Sequence, residues 1–130
     1  MTKLLVVEDD GMNRDLLAKR LAWEGYQIVT AADGVQAVVL AQTETPDLIL
    51  MDMGLPVLSG WQAASRIKAS AATRHIPIIA LTAYALAEER DKSISMGCDD
   101  FESKPIDFAR LLAKMAALLS GAAPDADQLA

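Results

Sequence analysis

The sequence predicts an α/β domain, a doubly wound five-stranded parallel sheet with five helices on its two faces. Three observations predict it. Strand-like and helix-like patterns alternate from one end of the chain to the other. The strand-like runs are continuously apolar, as in strands covered on both faces. Carboxylates, a threonine or turn residues stand where those runs stop. In such sheets ligands sit outside the carboxyl ends of the strands, where the strand order reverses.

Each element has its own signal. Lys3–Glu8 is an apolar run. Met12–Glu24 carries Leu16, Leu17 and Leu21 at helical spacing, and Gly25 supplies a stop. Gln27–Ala31 is a short β-rich piece, and Asp33 can cap a helix with Val35, Val38 and Val39 on one face. Pro46 breaks the chain before the strand Leu48–Asp52. Ser59 is the next cap, for a helix whose inner face is Trp61, Ala64 and Ile67. The small residues from Ala69 to Thr73 lead into the strand Ile76–Thr82. A helix from Ala87 to Met96 stops at Gly97, and Asp100–Ser103 is the weakest strand signal. Asp107 caps the clearest helix, with Phe108, Leu111, Leu112, Met115, Leu118 and Leu119 on one stripe. Residues 3–119 thus form one domain, and 120–130 a loose tail with little to bury.

Composition narrows the function classes. The 130 residues are 52% hydrophobic and only 5% aromatic, so an aliphatic core forms without disulfides or metal staples. The formal net charge of −6 argues against nucleic acid or an anionic membrane surface as partner, since both select basic faces. No apolar stretch reaches the ~20 residues that span a bilayer, and the N-terminus lacks a signal-peptide layout. The lone Cys98 reads as a small buried hydrophobe. A cytoplasmic location follows.

The polar residues at the strand ends carry the chemistry. Strand one ends in Glu8, Asp9 and Asp10, strand three in Asp52, strand four in Thr82, and Lys104-Pro105 follows strand five. Carboxylates this close repel one another and need compensating charge. Lys104 supplies one unit, and an all-oxygen donor set suits Mg²⁺ for the rest. Carboxylates, a lysine and a hydroxyl around such an ion are the equipment of phosphoryl transfer, with Asp52 as attacking oxygen.

These residues resemble the response-regulator receiver domain of two-component signalling. LLVVEDD, LILMDMGLP, IIALTA and FESKP occur in order at ordinary spacing, and the likeness covers about residues 3–119. It implies a flavodoxin-like strand order, 2-1-3-4-5. It further implies that Asp52 is the phosphoacceptor. Asp9 would be a direct Mg²⁺ ligand, Glu8 would act through water, and Gly54 would offer its backbone carbonyl. Thr82 matches the hydroxyl that binds the phosphoryl group, Lys104 the lysine that pairs with it, and Lys104-Pro105 the family's cis bond. Phe101 and Thr82 would form the switch, Phe101 turning inward once Thr82 is drawn to the phosphoryl group.

The sequence departs from many relatives in two ways. Phe101 has no hydroxyl, which excludes a tyrosine hydrogen bond in the switch. Gly54 and Tyr84 stand where family members shape water access and phosphate lifetime, the one opening space and the other closing it. Several residues have plainer readings. Asp10 reads as a solvated loop charge, Trp23 and Trp61 as packing, His75 as a surface residue, and Glu88–Lys92 as a solvated helix face.

The expected activity is that of a phosphoacceptor, not an enzyme beyond its own phosphorylation and slow dephosphorylation. A histidine kinase or histidine phosphotransfer protein would supply the phosphoryl group. The signal would leave by contact with a downstream protein target, from a monomer or weak dimer. Met1 and the tapering tail favour a complete, stand-alone single-domain protein. The alternative is an aspartyl-nucleophile phosphatase or phosphotransferase. Such enzymes place an acid/base Asp two residues after the nucleophile, and Gly54 cannot move a proton. A plain flavodoxin-like binding module would need a glycine- or hydroxyl-rich phosphate loop after strand one, where EDDGMN is acidic.

Overall fold

A computed structural model of the chain describes residues 1–83 and 87–120. The expected tail beyond Ser120 and the role given to Tyr84 lie outside these residues. The elements are β1 (Lys3–Val7), α1 (Gly11–Trp23), β2 (Gln27–Ala31), α2 (Gly34–Glu44), β3 (Leu48–Asp52), α3 (Gly60–Ala69), β4 (Ile78–Thr82), α4 (Ala87–Ser95), β5 (Asp100–Ser103) and α5 (Phe108–Leu119). The strands are parallel in the order β2-β1-β3-β4-β5, the flavodoxin-like arrangement.

Side chains alternate across a strand, so each central strand feeds two cores. From β1, Leu5 and Val7 join Ile49, Met51, Ile78 and Ala80 under α2 and α3. Leu4 and Val6 face the other way, with Leu48, Leu50, Ile79 and Leu81 under α1 and α5. All five residues of β3 are buried, which is why it reads as an unbroken apolar run. Each large aliphatic side chain so buried contributes about 1.5–3 kcal/mol. The last of the five is Asp52.

The capping signals hold. Asp33, Ser59 and Asp107 accept from the backbone N–H groups of Gln36, Gln62 and Arg110, and Ser59 with Gln62 completes a capping box. A cap of this kind stabilises a helix by about 1 kcal/mol. Gly25 and Gly97 follow α1 and α4 with φ of 102° and 105°, a region in which a Cβ is strained.

Four expectations about packing do not hold. Val35 and Val39 are exposed, and α2 instead buries Gly34, Ala37 and Ala41. Small residues let that helix lie close: a Cβ on Gly34 would come within 2.0 Å of the Leu58 carbonyl oxygen. Leu16 is 62% exposed, because α1 presents only Leu17 and Leu21 to the sheet. Trp23, expected to pack, is 81% exposed at the end of the same helix. β4 begins at Ile78, two residues late, because Pro77 has no N–H to give the ladder.

Candidate functional site

The site lies where β1 and β3 deliver acidic side chains to the carboxyl edge of the sheet. β2 and β3 flank β1 on opposite sides, so the connections after β1 and β3 leave in different directions and open a crevice. Glu8 is the first residue past β1 and is 4% exposed; Asp52 closes β3 at 8%. Asp9 is exposed beside them. One carboxylate oxygen from each of the three lies within 4.8 Å of the others.

Lys104 reaches into this cluster from the end of β5. Its Nζ donates to Glu8 Oε1 at 3.0 Å and to Asp52 Oδ2 at 3.1 Å. The Lys104 backbone N–H donates to the Thr82 carbonyl at 2.7 Å, and the Lys104-Pro105 bond is cis. Burial pushes the Glu8 carboxyl above its usual range, with the Lys104 hydrogen bond only partly offsetting it. For Lys104, burial alone would lower the ammonium's pKa. Its hydrogen bonds and charge pairing with Glu8 and Asp52 outweigh that, so the net shift is upward and the ammonium stays charged.

The other Asp52 oxygen, Oδ1, accepts the backbone N–H of Gly54 at 3.0 Å. A cavity of about 110 Å³ is lined by Asp52, Met53, Gly54, Trp61, Thr82, Ala83 and Glu89. Thr82 is buried here, one strand over from Asp52. Phe101 is half-buried on β5, where Lys114 Nζ donates to its carbonyl. Every expected site residue except Phe101 therefore surrounds one crevice. Phe101 stands on the edge strand, paired with Ala80 of β4.

The donor set fits a hard divalent cation. It is all oxygen, it concentrates three carboxylates, and among the described residues a single lysine pairs with them, which leaves the cluster short of positive charge. Asp10 takes no part: its side chain caps α1 by accepting from the Asn13 N–H at 3.0 Å. Cys98 is buried and inert, its thiol pushed up to about 12, chiefly by burial. His75 and most of the Glu88–Lys92 run are exposed.

Sequence reasoning missed three contributors. Gly60 opens α3 so close to β3 that a Cβ would sit 2.2 Å from the Asp52 carbonyl oxygen. Only its position at the start of a helix could have hinted at that. Trp61 lines the cavity while its indole N–H donates to Ser93 Oγ at 3.3 Å and Lys92 lies over its ring. Arg14, one turn into α1, donates to the Glu8 carbonyl at 2.9 Å. Neither of the last two is visible in spacing alone.

The chain is similar to known proteins over most of its length. Residues 4–116 match the family model described as the response regulator receiver domain. The polar-differentiation response regulator DivK of Brucella ovis is 36% identical over 123 residues, covering 94% of this chain and 100% of that protein. The DNA-binding dual master transcriptional regulator RpaA of Synechocystis is 34% identical over 119 residues, 92% of this chain. The chain spans about half of that longer regulator, 49% of its length. Among solved structures, the receiver domain of the sensor histidine kinase PA1611 from Pseudomonas aeruginosa superimposes with a TM-score of 0.85. It is 38% identical, covering 92% of this chain and 98% of that one, and holds a magnesium ion in its active-site cleft.

Proposed function

The chain belongs to the response regulator receiver domain family, and on that premise we propose that it is a phosphoacceptor signalling protein with Asp52 as the acceptor. One observation carries the reading. Lys104 bridges Glu8 and Asp52 at 3.0 and 3.1 Å, with Asp9 completing the acidic cluster, and Asp52 lines a cavity together with Thr82.

An Asp52 oxygen attacks the phosphorus of a phosphohistidine. The P–O bond forms as the P–N bond breaks, and the imidazole leaves with the electron pair and is protonated. The product is an acyl phosphate on Asp52. Lys104 turns its ammonium to a phosphoryl oxygen, and the Thr82 hydroxyl donates to another. Gly54, with no side chain, leaves the approach open and keeps its N–H on the carboxylate. Asp9, Asp52, the Gly54 carbonyl and, through water, Glu8 are the groups that would hold Mg²⁺. When bound, the ion supplies the remaining positive charge for the phosphoryl oxygens.

The phosphoryl donor is a histidine kinase or a histidine phosphotransfer protein, acting in the cytoplasm. Output passes by protein contact to a downstream target, with Thr82 and Phe101 relaying the state of Asp52. With Mg²⁺ and acetyl phosphate, the protein gains one acid-stable, base-labile phosphoryl group, located on Asp52 by intact mass and peptide mapping. Asp52→Asn abolishes it. Full labelling of that variant would overturn the assignment.

A further inference from the structure

The acidic pair sits on a very short connection. β1 ends at Val7 and α1 opens at Gly11, so Glu8 and Asp9 leave the ladder with little chain to hold them. The Glu8 N–H still donates to the Ala31 carbonyl at 3.1 Å, and the Asp10 N–H turns back to Glu8 Oε2 at 3.2 Å. The carbonyl side is held differently. Arg14 Nη1 donates to the Glu8 carbonyl at 2.9 Å and makes a longer 3.5 Å contact to the Asp9 carbonyl. The Arg14 backbone N–H donates to the Asp10 carbonyl at 2.8 Å, so one residue ties all three loop carbonyls to α1.

Placing this guanidinium here is electrostatically adverse to a cation site. Coulomb repulsion between Arg14 and a divalent ion at the neighbouring carboxylates weakens binding. A half-buried arginine in that place makes sense when its geometry outweighs its charge. Both contacts come from one guanidinium nitrogen, Nη1, carried farther from the backbone than a lysine ammonium would be. Groups that orient a metal's ligands in this way govern affinity nearly as strongly as the ligands themselves.

We infer that Arg14 is a positioning residue for the cation site, fastening the Glu8 and Asp9 carbonyls so that both carboxylates converge on Asp52. This rests on the proposed Mg²⁺ site and adds a residue to its support. Charge and geometry predict opposite signs, which makes the inference testable. Mg²⁺ affinity is measured by calorimetric titration, and the Mg²⁺-induced rise in melting temperature is followed in parallel. Arg14→Gln keeps the apolar stem, removes the charge and is too short to reach the carbonyls. It weakens Mg²⁺ binding about tenfold although a repelling charge has gone. Arg14→Lys falls between Arg14→Gln and wild type. Affinity that is unchanged or tighter in folded Arg14→Gln would overturn the inference. So would a variant that melts lower but keeps the full Mg²⁺-induced rise, since that is the behaviour of a purely structural contact. Should Arg14→Gln not fold, Arg14→Lys carries the test: wild-type affinity there would overturn the two-carbonyl clamp. Wild-type protein that takes up no Mg²⁺ would overturn the metal site itself, a result distinct from a failure of Arg14 alone.

Discussion

Among the described residues two places bury carboxylates, and they treat them in opposite ways. On β5, Glu102 is 1% exposed and answered by two cations: Arg110 Nε at 3.1 Å and Lys114 Nζ at 2.9 Å. At the carboxyl edge, Glu8 and Asp52 share Lys104, and Asp9 crowds beside them. Two cations on one buried carboxylate, with the more exposed Asp100 4.0 Å from Lys114, make a finished structural network. Three carboxylates with one paired lysine, the nearby Arg14 guanidinium being turned to backbone carbonyls, form a cluster with room for more positive charge. Burial alone does not distinguish the carboxylates of the proposed site. The balance of charge around them does.

The comparison breaks most sharply on the structural network. Neutralising both cations, as Arg110→Gln with Lys114→Gln, strands a buried charge and costs about 3–5 kcal/mol. The opposite holds at the crevice. Among the described residues Asp9 has no ion-pair partner, so Asp9→Asn chiefly relieves its repulsion with Glu8 and Asp52. Without metal it stabilises the fold by up to about 1 kcal/mol at aqueous screening. Denaturant titration of the two variants checks the pair, and the same sign for both would remove the distinction.

A smaller effect sharpens the crevice side. The folded-state pKa of Glu8 is raised by burial, so between its unfolded and folded values the native state binds more protons than the unfolded chain. Stability contributed by protonated Glu8 is therefore present at acid pH and is lost as pH rises through the raised folded value. The Lys104 contribution behaves in the same sense but far to the alkaline side, lost only as pH rises through its own raised value. Unfolding midpoints of wild type and Glu8→Gln, measured against pH without metal, converge at acid pH. Above that window the variant is the more stable. Parallel curves at all pH values would show that Glu8 is not desolvated.

Much of this was legible in the sequence, and the losses have physical causes. β2, β3 and β5 and the caps Asp33, Ser59 and Asp107 could be read because backbone chemistry at those points is local. The convergence of Glu8, Asp9, Asp52, Thr82 and Lys104 was legible because parallel topology sends every strand end to one edge. The faces of α1 and α2 were not. Periodicity finds an apolar stripe, but the sheet chose Ala37 and Ala41 over Val35 and Val39 because close approach favours small side chains. Leu16 and Trp23 misled in the same way, since a large apolar residue on a short helix can still face outward. Arg14 and Glu102 were hidden for another reason. Their partners are backbone carbonyls and side chains brought near only by the fold.

The central claim is that the crevice, unlike the Glu102 network, is short of positive charge and takes a divalent cation. The direct measurement is the melting temperature of wild-type protein as Mg²⁺ is added. At about five times Kd the gain is ~1 kcal/mol, a rise of several degrees for a domain of this size. Asp9→Asn loses most of that rise, while a variant confined to the Glu102 network keeps it. A wild-type melting curve indifferent to millimolar Mg²⁺ would contradict the account.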